Sequence, residues 1–196
     1  MPHVYRQKVC PIISHEAQNM SCHKMHIRPA TYSEIEKLMA IFGNAKSIMR
    51  SSGNLHQWDG NYPTEDIIRR DIDNGNCYVL CRKGDIIGTM ALIPGPDSTY
   101  AEIDGEWPDD ESYYVIHRIA AASSGGNIAR TMLDWAFGHI DELVCSVIRI
   151  DTHRDNCIMK HILTSYGFRM CGVIRLEDGS PRDAYHLKYI RLSKEG

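Results

Sequence analysis

Residues 113–140 read YYVIHRIAAASSGGNIARTMLDWAFGHI. The first seven are rich in β-branched and aromatic side chains, which suit a pleated, half-buried surface, so they read as a strand. Residues 120–127 carry no bulky side chain, and their backbone can come close to a ligand. From Ile128 the apolar residues recur at Met132, Trp135, Ala136 and Ile140, which is one face of a helix. Free N–H groups and glycines at such a helix N-terminus suit an anion, because donors and dipole both favour negative charge. The same residues also suit a tight strand-to-helix turn that binds nothing.

Upstream, residues 26–30 read as a short strand stopped at Pro29. Thr31 with Glu34 three residues on has the pattern of a capping box, opening a helix with Ile35, Leu38, Met39, Phe42, Ile48 and Met49 on one face. Thr64 caps a second helix that Asn74-Gly75 closes. Residues 77–82 and 85–93 form a hairpin across Lys83-Gly84, and the acidic stretch 97–112 reads as a loop or irregular strand. Downstream, 147–152 is a strand and Asp155 or Asn156 caps a helix that Gly167 ends. Residues 168–176 and 182–190 form a closing hairpin. The sum is an α/β (α+β) chain, one mixed sheet with four flanking helices. Residues 1–24 show no sustained period and read as an N-terminal extension to a domain over 25–196.

At 196 residues the chain can bury one good core. Its net charge of −3 gives no sign of a nucleic-acid partner or an anionic membrane. No apolar run is long enough to span a bilayer. Seven cysteines without a C-x-x-C pair, in a chain with no export signal, read as reduced thiols in the cytoplasm. Cys22, His23 and His26 lack a second ligand pair at zinc-finger spacing, so no metal is expected.

Two blocks resemble the GNAT superfamily of N-acetyltransferases. One is IHRIAAASSGGNIARTMLDWAF, similar to the family's acetyl-CoA block; the other is IRIDTHRDNCIMKHILTSYGF, with Asn156 and a closing Gly167-Phe168. The closing LEDGSPRDAY is similar to a bacterial subgroup whose acceptor is uncharacterised. The resemblance implies a mostly antiparallel sheet with one splayed parallel pair, and acetyl-CoA as cosubstrate. It places Ser124, Gly125, Gly126, Asn127, Ile128, Ala129 and Arg130 at the pyrophosphate. Ser124 and Asn127 replace the family's basic or amide residue and its central glycine, which backbone-mediated binding tolerates. Ile119, Ala120 and Ala121 would hold the pantetheine arm through the main chain, with Asn156 opposite. The tyrosine that many members use as acid falls on Leu163, and Tyr166 lies one helical turn further on.

The activity implied is transfer of an acetyl group to the primary amine of a small molecule or peptide. Such an amine must lose a proton to attack. His117 on the strand and His153 at the end of the next are candidate bases, and Tyr114 and Glu106 are weaker ones. Gln57, Trp58 and Tyr62 are expected to wall the acceptor. A homodimer is compatible with the sequence. The rival from another class is a non-catalytic acyl-CoA-binding or regulatory module, motivated by Leu163 and the altered loop. A Rossmann-type domain is disfavoured, because G-x-G-x-x-G is absent and hairpins occupy much of the chain.

Overall fold

The computed structural model describes residues 25–123, 127–142 and 145–189. The extension 1–24 and the turn residues Ser124, Gly125 and Gly126 lie outside them. In chain order come β1 (His26–Pro29), a 3-10 turn at Tyr32–Glu34, α1 (Ile35–Ser51), α2 (Glu65–Asp73), β2 (Cys77–Arg82) and β3 (Asp85–Pro94). A second 3-10 turn (Ser98–Tyr100), β4 (Asp104–Gly105), β5 (Tyr113–Ala121) and α3 (Ile128–Glu142) follow. The chain closes with β6 (Val147–Thr152), α4 (Cys157–Tyr166), β7 (Arg169–Arg175) and β8 (Pro181–Lys188).

Among the described residues the strands form one sheet, ordered β1-β2-β3-β5-β6-β8-β7-β4. Every neighbouring pair is antiparallel except β5 and β6. The helix boundaries follow their caps. Thr64 Oγ1 accepts the Ile67 N–H at 3.4 Å, and Asn156 Oδ1 accepts that of Met159 at 3.0 Å. Gly167 ends α4 in the left-handed conformation, at φ 116°.

Period two sorts the side chains onto two faces. Ile116, Ile148 and Ile150 join Met132, Leu133, Ala136 and Ile140 of α3 and Leu163 of α4 in the main core. On the opposite face Leu38, Ile41 and Phe42 of α1 and Ile68 of α2 cover Val79 and Cys81. Further along that face Tyr100 packs with Val115, Ile174 and Ala184, and Trp107 closes over them. At Gly88 a Cβ would stand 2.8 Å from Ile128 Cγ2 and 3.0 Å from Met132 Sδ, so the glycine lets α3 sit close to β3.

The entry to α1 is electrostatically fastened. Glu34 accepts two bonds from Arg28, at 2.5 and 3.0 Å, and the Thr31 backbone N–H at 2.9 Å. The hydrogen bond from Arg28 holds the Glu34 carboxyl down from 4.5 to about 2. A carboxylate depressed in the folded state adds stability above its unfolded value and loses it as pH falls. Glu34→Gln should therefore cost about 1 kcal/mol at neutral pH. The gap to the unmodified chain should close as denaturant melts are taken from above pH 4.5 down towards about 2.

Candidate active site

β5 and β6 pair only from Tyr113–Val147 to Val115–Arg149. Beyond that they part, and Ile116 to Ala121 on one side and Ile150 to Thr152 on the other line a single cleft of about 1260 Å³. The residues that follow each parting strand also reach it, Asn127 to Arg130 from the start of α3 and Asn156 from the start of α4. Asn127 sits at φ 53°, the left-handed conformation that asparagine tolerates better than most residues. The remaining walls are the α1–α2 connection, the 96–99 turn and the β7–β8 hairpin.

A β-bulge aims the side chains into this cleft. Thr89 pairs with Ala120 and Ala91 with His117, so Arg118 and Ile119 together oppose Met90 alone. Arg118 takes φ 54°, unusual for a non-glycine residue. The bulge upsets the alternation, so His117 and Arg118, though consecutive, both make their contacts on the α1–α2 face. The Arg118 guanidinium donates to both oxygens of Asp71 in α2, each at 2.8 Å, and to Tyr62 Oη at 3.2 Å. Burial pushes the Asp71 carboxyl up from its ordinary value even though Arg118 draws it down.

His117 lies between two carboxylates. Its Nε2 stands 2.9 Å from Asp97 Oδ2, and its Nδ1 stands 3.9 Å from Asp151 Oδ1. A carboxylate accepts only, so Nε2 carries a proton towards Asp97, and in the neutral ring Nδ1 is then the nitrogen with the lone pair. The hydrogen bond from His117 holds the Asp97 carboxyl well below the usual range. Asp97 is itself fixed by Thr99 N and Oγ1 at 2.9 and 2.6 Å, and its own N–H donates to Tyr113 Oη at 3.1 Å. Tyr100, fully buried, donates to Asp151 Oδ1 at 2.9 Å, and burial first and Asp151 second push its hydroxyl up so that it remains a donor.

The other expected residues fare differently. Ile119, Ala120, Ala121, Ile128, Ala129 and Arg130 line the cleft, as do Gln57, Trp58 and Tyr62. Asn156, expected against the cofactor arm, and Gln57, expected at the acceptor wall, hold each other. Gln57 Oε1 accepts Asn156 Nδ2 at 2.8 Å, Asn54 Nδ2 at 2.9 Å and Thr152 Oγ1 at 3.3 Å. With its own oxygen capping α4, Asn156 is a structural joint of the cleft as much as a wall of it. Trp58 presents its ring edge-on to Phe42, 5.7 Å between centroids.

Two of the three candidate catalytic side chains are not brought to the cleft. Strand alternation turns Tyr114 to the main core, on the face opposite His117. His153 is buried, outside the cleft lining, with Nδ1 accepting the Asp155 N–H at 3.2 Å; burial draws its imidazole down. Glu106 is exposed beside β7, its N–H bonded to Cys171 O. Tyr166 lines the cleft, but its hydroxyl donates to Asp134 at 2.8 Å and its ring stacks on Phe137. Sequence reasoning missed Asp97, Asp151, Asp71, Arg118 and Tyr100. Asp151 alone carried a usable signal, since Arg149 and Asp151 put two charges at period two within an apolar strand.

No protein-family profile and no curated protein sequence matches the chain. Solved structures do. A GNAT-family acetyltransferase from Streptococcus agalactiae is 32% identical, with a TM-score of 0.77 over 85% of this chain and 96% of that one. The fold is shared at lower identity by a ribosomal-protein-alanine N-acetyltransferase from Brucella melitensis (20%, TM-score 0.60, 84% and 99% covered). It is shared also by the PaiA N-acetyltransferase of Thermoplasma acidophilum, solved in complex with coenzyme A (13%, 0.63, 85% and 99%). The chain belongs to the GNAT family of acetyltransferases.

The Arg118–Asp71 pair offers a test of what holds the bulge. Asp71→Asn leaves a buried guanidinium without its counter-charge and should cost roughly 3–5 kcal/mol in denaturant unfolding. Replacing both partners, Asp71→Leu with Arg118→Met, should recover most of that loss, because the desolvation of two charges disappears with them.

Proposed function

We propose that the protein is an acetyl-CoA-dependent N-acetyltransferase that moves an acetyl group to the primary amine of a small-molecule or peptide acceptor. The observation that carries this reading is His117 at the floor of the parted strands. Its Nδ1 lone pair faces Asp151 across 3.9 Å, and Asp97 fixes its Nε2. With the ring neutral, Nδ1 and the Asp151 carboxylate are acceptors side by side, and an amine nitrogen set off the line that joins them can hydrogen-bond to both. Asp151 would hold the amine, and His117 would take its proton as the nitrogen attacks the thioester carbonyl. The C–N bond forms, the C–S bond breaks, and the thiolate leaves with its electron pair. Asp97 acts through His117, setting the tautomer and stabilising the imidazolium.

Acetyl-CoA as donor is supported by the family, by the coenzyme A bound to the T. acidophilum relative, and by the cleft between β5 and β6. The unpaired β5 edge beyond Val115 offers main-chain groups for strand-like addition of an extended arm. The start of α3, with Asn127 in the left-handed conformation, suits the pyrophosphate. Holding both reactants in one cleft supplies a large part of the barrier reduction by proximity.

Calorimetric titration of acetyl-CoA, paired with amine-dependent thiol release, tests the reading. Binding with release establishes the transferase. His117→Ala should then lower kcat about 100- to 10,000-fold, with little change in acetyl-CoA affinity. Binding without release from any amine would point to a non-catalytic acyl-CoA-binding module, as Leu163 in the tyrosine position suggests. Absence of binding would overturn both.

A further inference from the structure

Beyond the amine position the cleft is also lined by Arg182. β8 pairs Ala184 with Asp151, and Arg182 stands two residues away on the same face of the strand. Its backbone is therefore about 7 Å along β8 from the level of Asp151. Arg182 is 8% exposed and lines the cleft, yet among the described residues it forms no ion pair. One nitrogen, Nη1, donates to the Pro181 carbonyl at 2.9 Å, and no other protein acceptor is recorded for the guanidinium among those residues.

The nearby acids are committed elsewhere. Asp183 binds Lys160 Nζ at 2.7 Å. Asp155 lies 3.5 Å from His153. Asp178 Oδ1 accepts Ser180 N at 2.8 Å and Ser180 Oγ at 2.6 Å, on a solvent-exposed turn. The positive field of Arg182 reaches the neighbouring imidazole, adding to burial in drawing His153 down. Glu177 and Asp178 complete the charges that the hairpin brings to this part of the cleft. The remaining Arg182 donors open to the cleft instead of to a protein carboxylate, which leaves them free for an anionic group there.

We propose that Arg182 is an anion subsite of the acceptor half of the cleft, and that the acceptor is an aminocarboxylate. Its amine bridges His117 and Asp151 from the cleft side, and its carboxylate lies on the Arg182 fork. This rests on the transferase reading. A monoanionic carboxylate fits better than a phosphate dianion, because on the β7–β8 hairpin Arg182 is the guanidinium that lines the cleft and Glu177 and Asp178 stand close by. The planar fork also matches a carboxylate two-pronged, which a lysine would not.

Thiol release is measured with glycine, β-alanine and γ-aminobutyrate against methylamine, ethylamine and propylamine, for the unmodified protein, Arg182→Gln and Arg182→Lys. At least one aminocarboxylate should exceed its matched alkylamine about 10- to 100-fold in kcat/KM, the size of one charge-assisted bond pair. The ratio should fall to about one in Arg182→Gln and stay intermediate in Arg182→Lys. An unmodified protein that acetylates alkylamines as well as their carboxylated partners would overturn the subsite and leave the transferase standing. Should no amine release thiol, the transferase reading fails, and calorimetry of γ-aminobutyrate with the coenzyme A-loaded protein decides the subsite alone. Binding lost in Arg182→Gln supports it; binding absent from the unmodified protein, or equal in both, overturns it.

Discussion

The bond between Arg118 and Asp71 is the interaction on which the geometry of the cleft depends. A strand that kept strict alternation would send Arg118 to the main core, where a guanidinium has no counter-charge. The bulge opposite Met90 avoids this by giving Arg118 a left-handed backbone and the same face as His117. That conformation carries a strain of roughly 1–3 kcal/mol, and two charge-assisted bonds at 2.8 Å offset it. One pair thus ties α2 to β5, gives Tyr62 its partner at the cleft wall, and fixes the point where β5 resumes pairing with β3.

A second clamp works from the other half of the sheet. Arg149 is sandwiched between Trp107 and Tyr113, its guanidinium carbon 4.1 and 4.0 Å from the two ring centroids. Its Nη2 donates to the Asp109 carbonyl at 2.8 Å. A cation held between aromatic faces in a buried setting contributes on the order of 2 kcal/mol. The consequence for the site is indirect. The clamp holds the 97–111 segment against the sheet, Trp107 Nε1 donates to the Tyr100 carbonyl at 3.1 Å, and Tyr100 and Asp97 are thereby delivered to Asp151 and His117. An acidic segment with little regular structure thus supplies the carboxylate that faces His117.

This division explains what the sequence revealed. Helices announced themselves through Thr64, Asn156 and Gly167, since caps are local chemistry. Hairpins and a family resemblance pointed to a mostly antiparallel sheet with one splayed parallel pair. His117 could be placed in the cleft because strand period and side-chain chemistry pointed the same way. The same period should have demoted Tyr114, one residue earlier and so on the other face. Arg118 was unreadable because a bulge depends on what α2 offers across 47 residues of chain. Asp97 was unreadable for a related reason: its role is set by Tyr113 and Arg149 closing a loop, and no periodic pattern records that. His153 passed as a candidate on chemistry alone, and its burial and its bond to the Asp155 N–H are tertiary facts.

The missing acid follows from the same physical accounting. Leu163 is fully buried in the main core, and Tyr166 one turn on is fastened to Asp134, with burial and that carboxylate pushing its hydroxyl up. Neither gives the departing sulfur a proton. The need is small. A thiol ionises near about 8.5 and an alkylammonium near about 10.4, a difference of roughly 2.6 kcal/mol in favour of expelling sulfur from the tetrahedral intermediate. Once the nitrogen has lost its proton, the intermediate collapses forward without help at the leaving group. In the proposed reaction the demanding step is deprotonation of the amine, and His117, Asp97, Asp151 and Tyr100 are the polar side chains that the fold brings together for it. The proposed reaction therefore asks for a well-held proton acceptor more than for an acid at the tyrosine position.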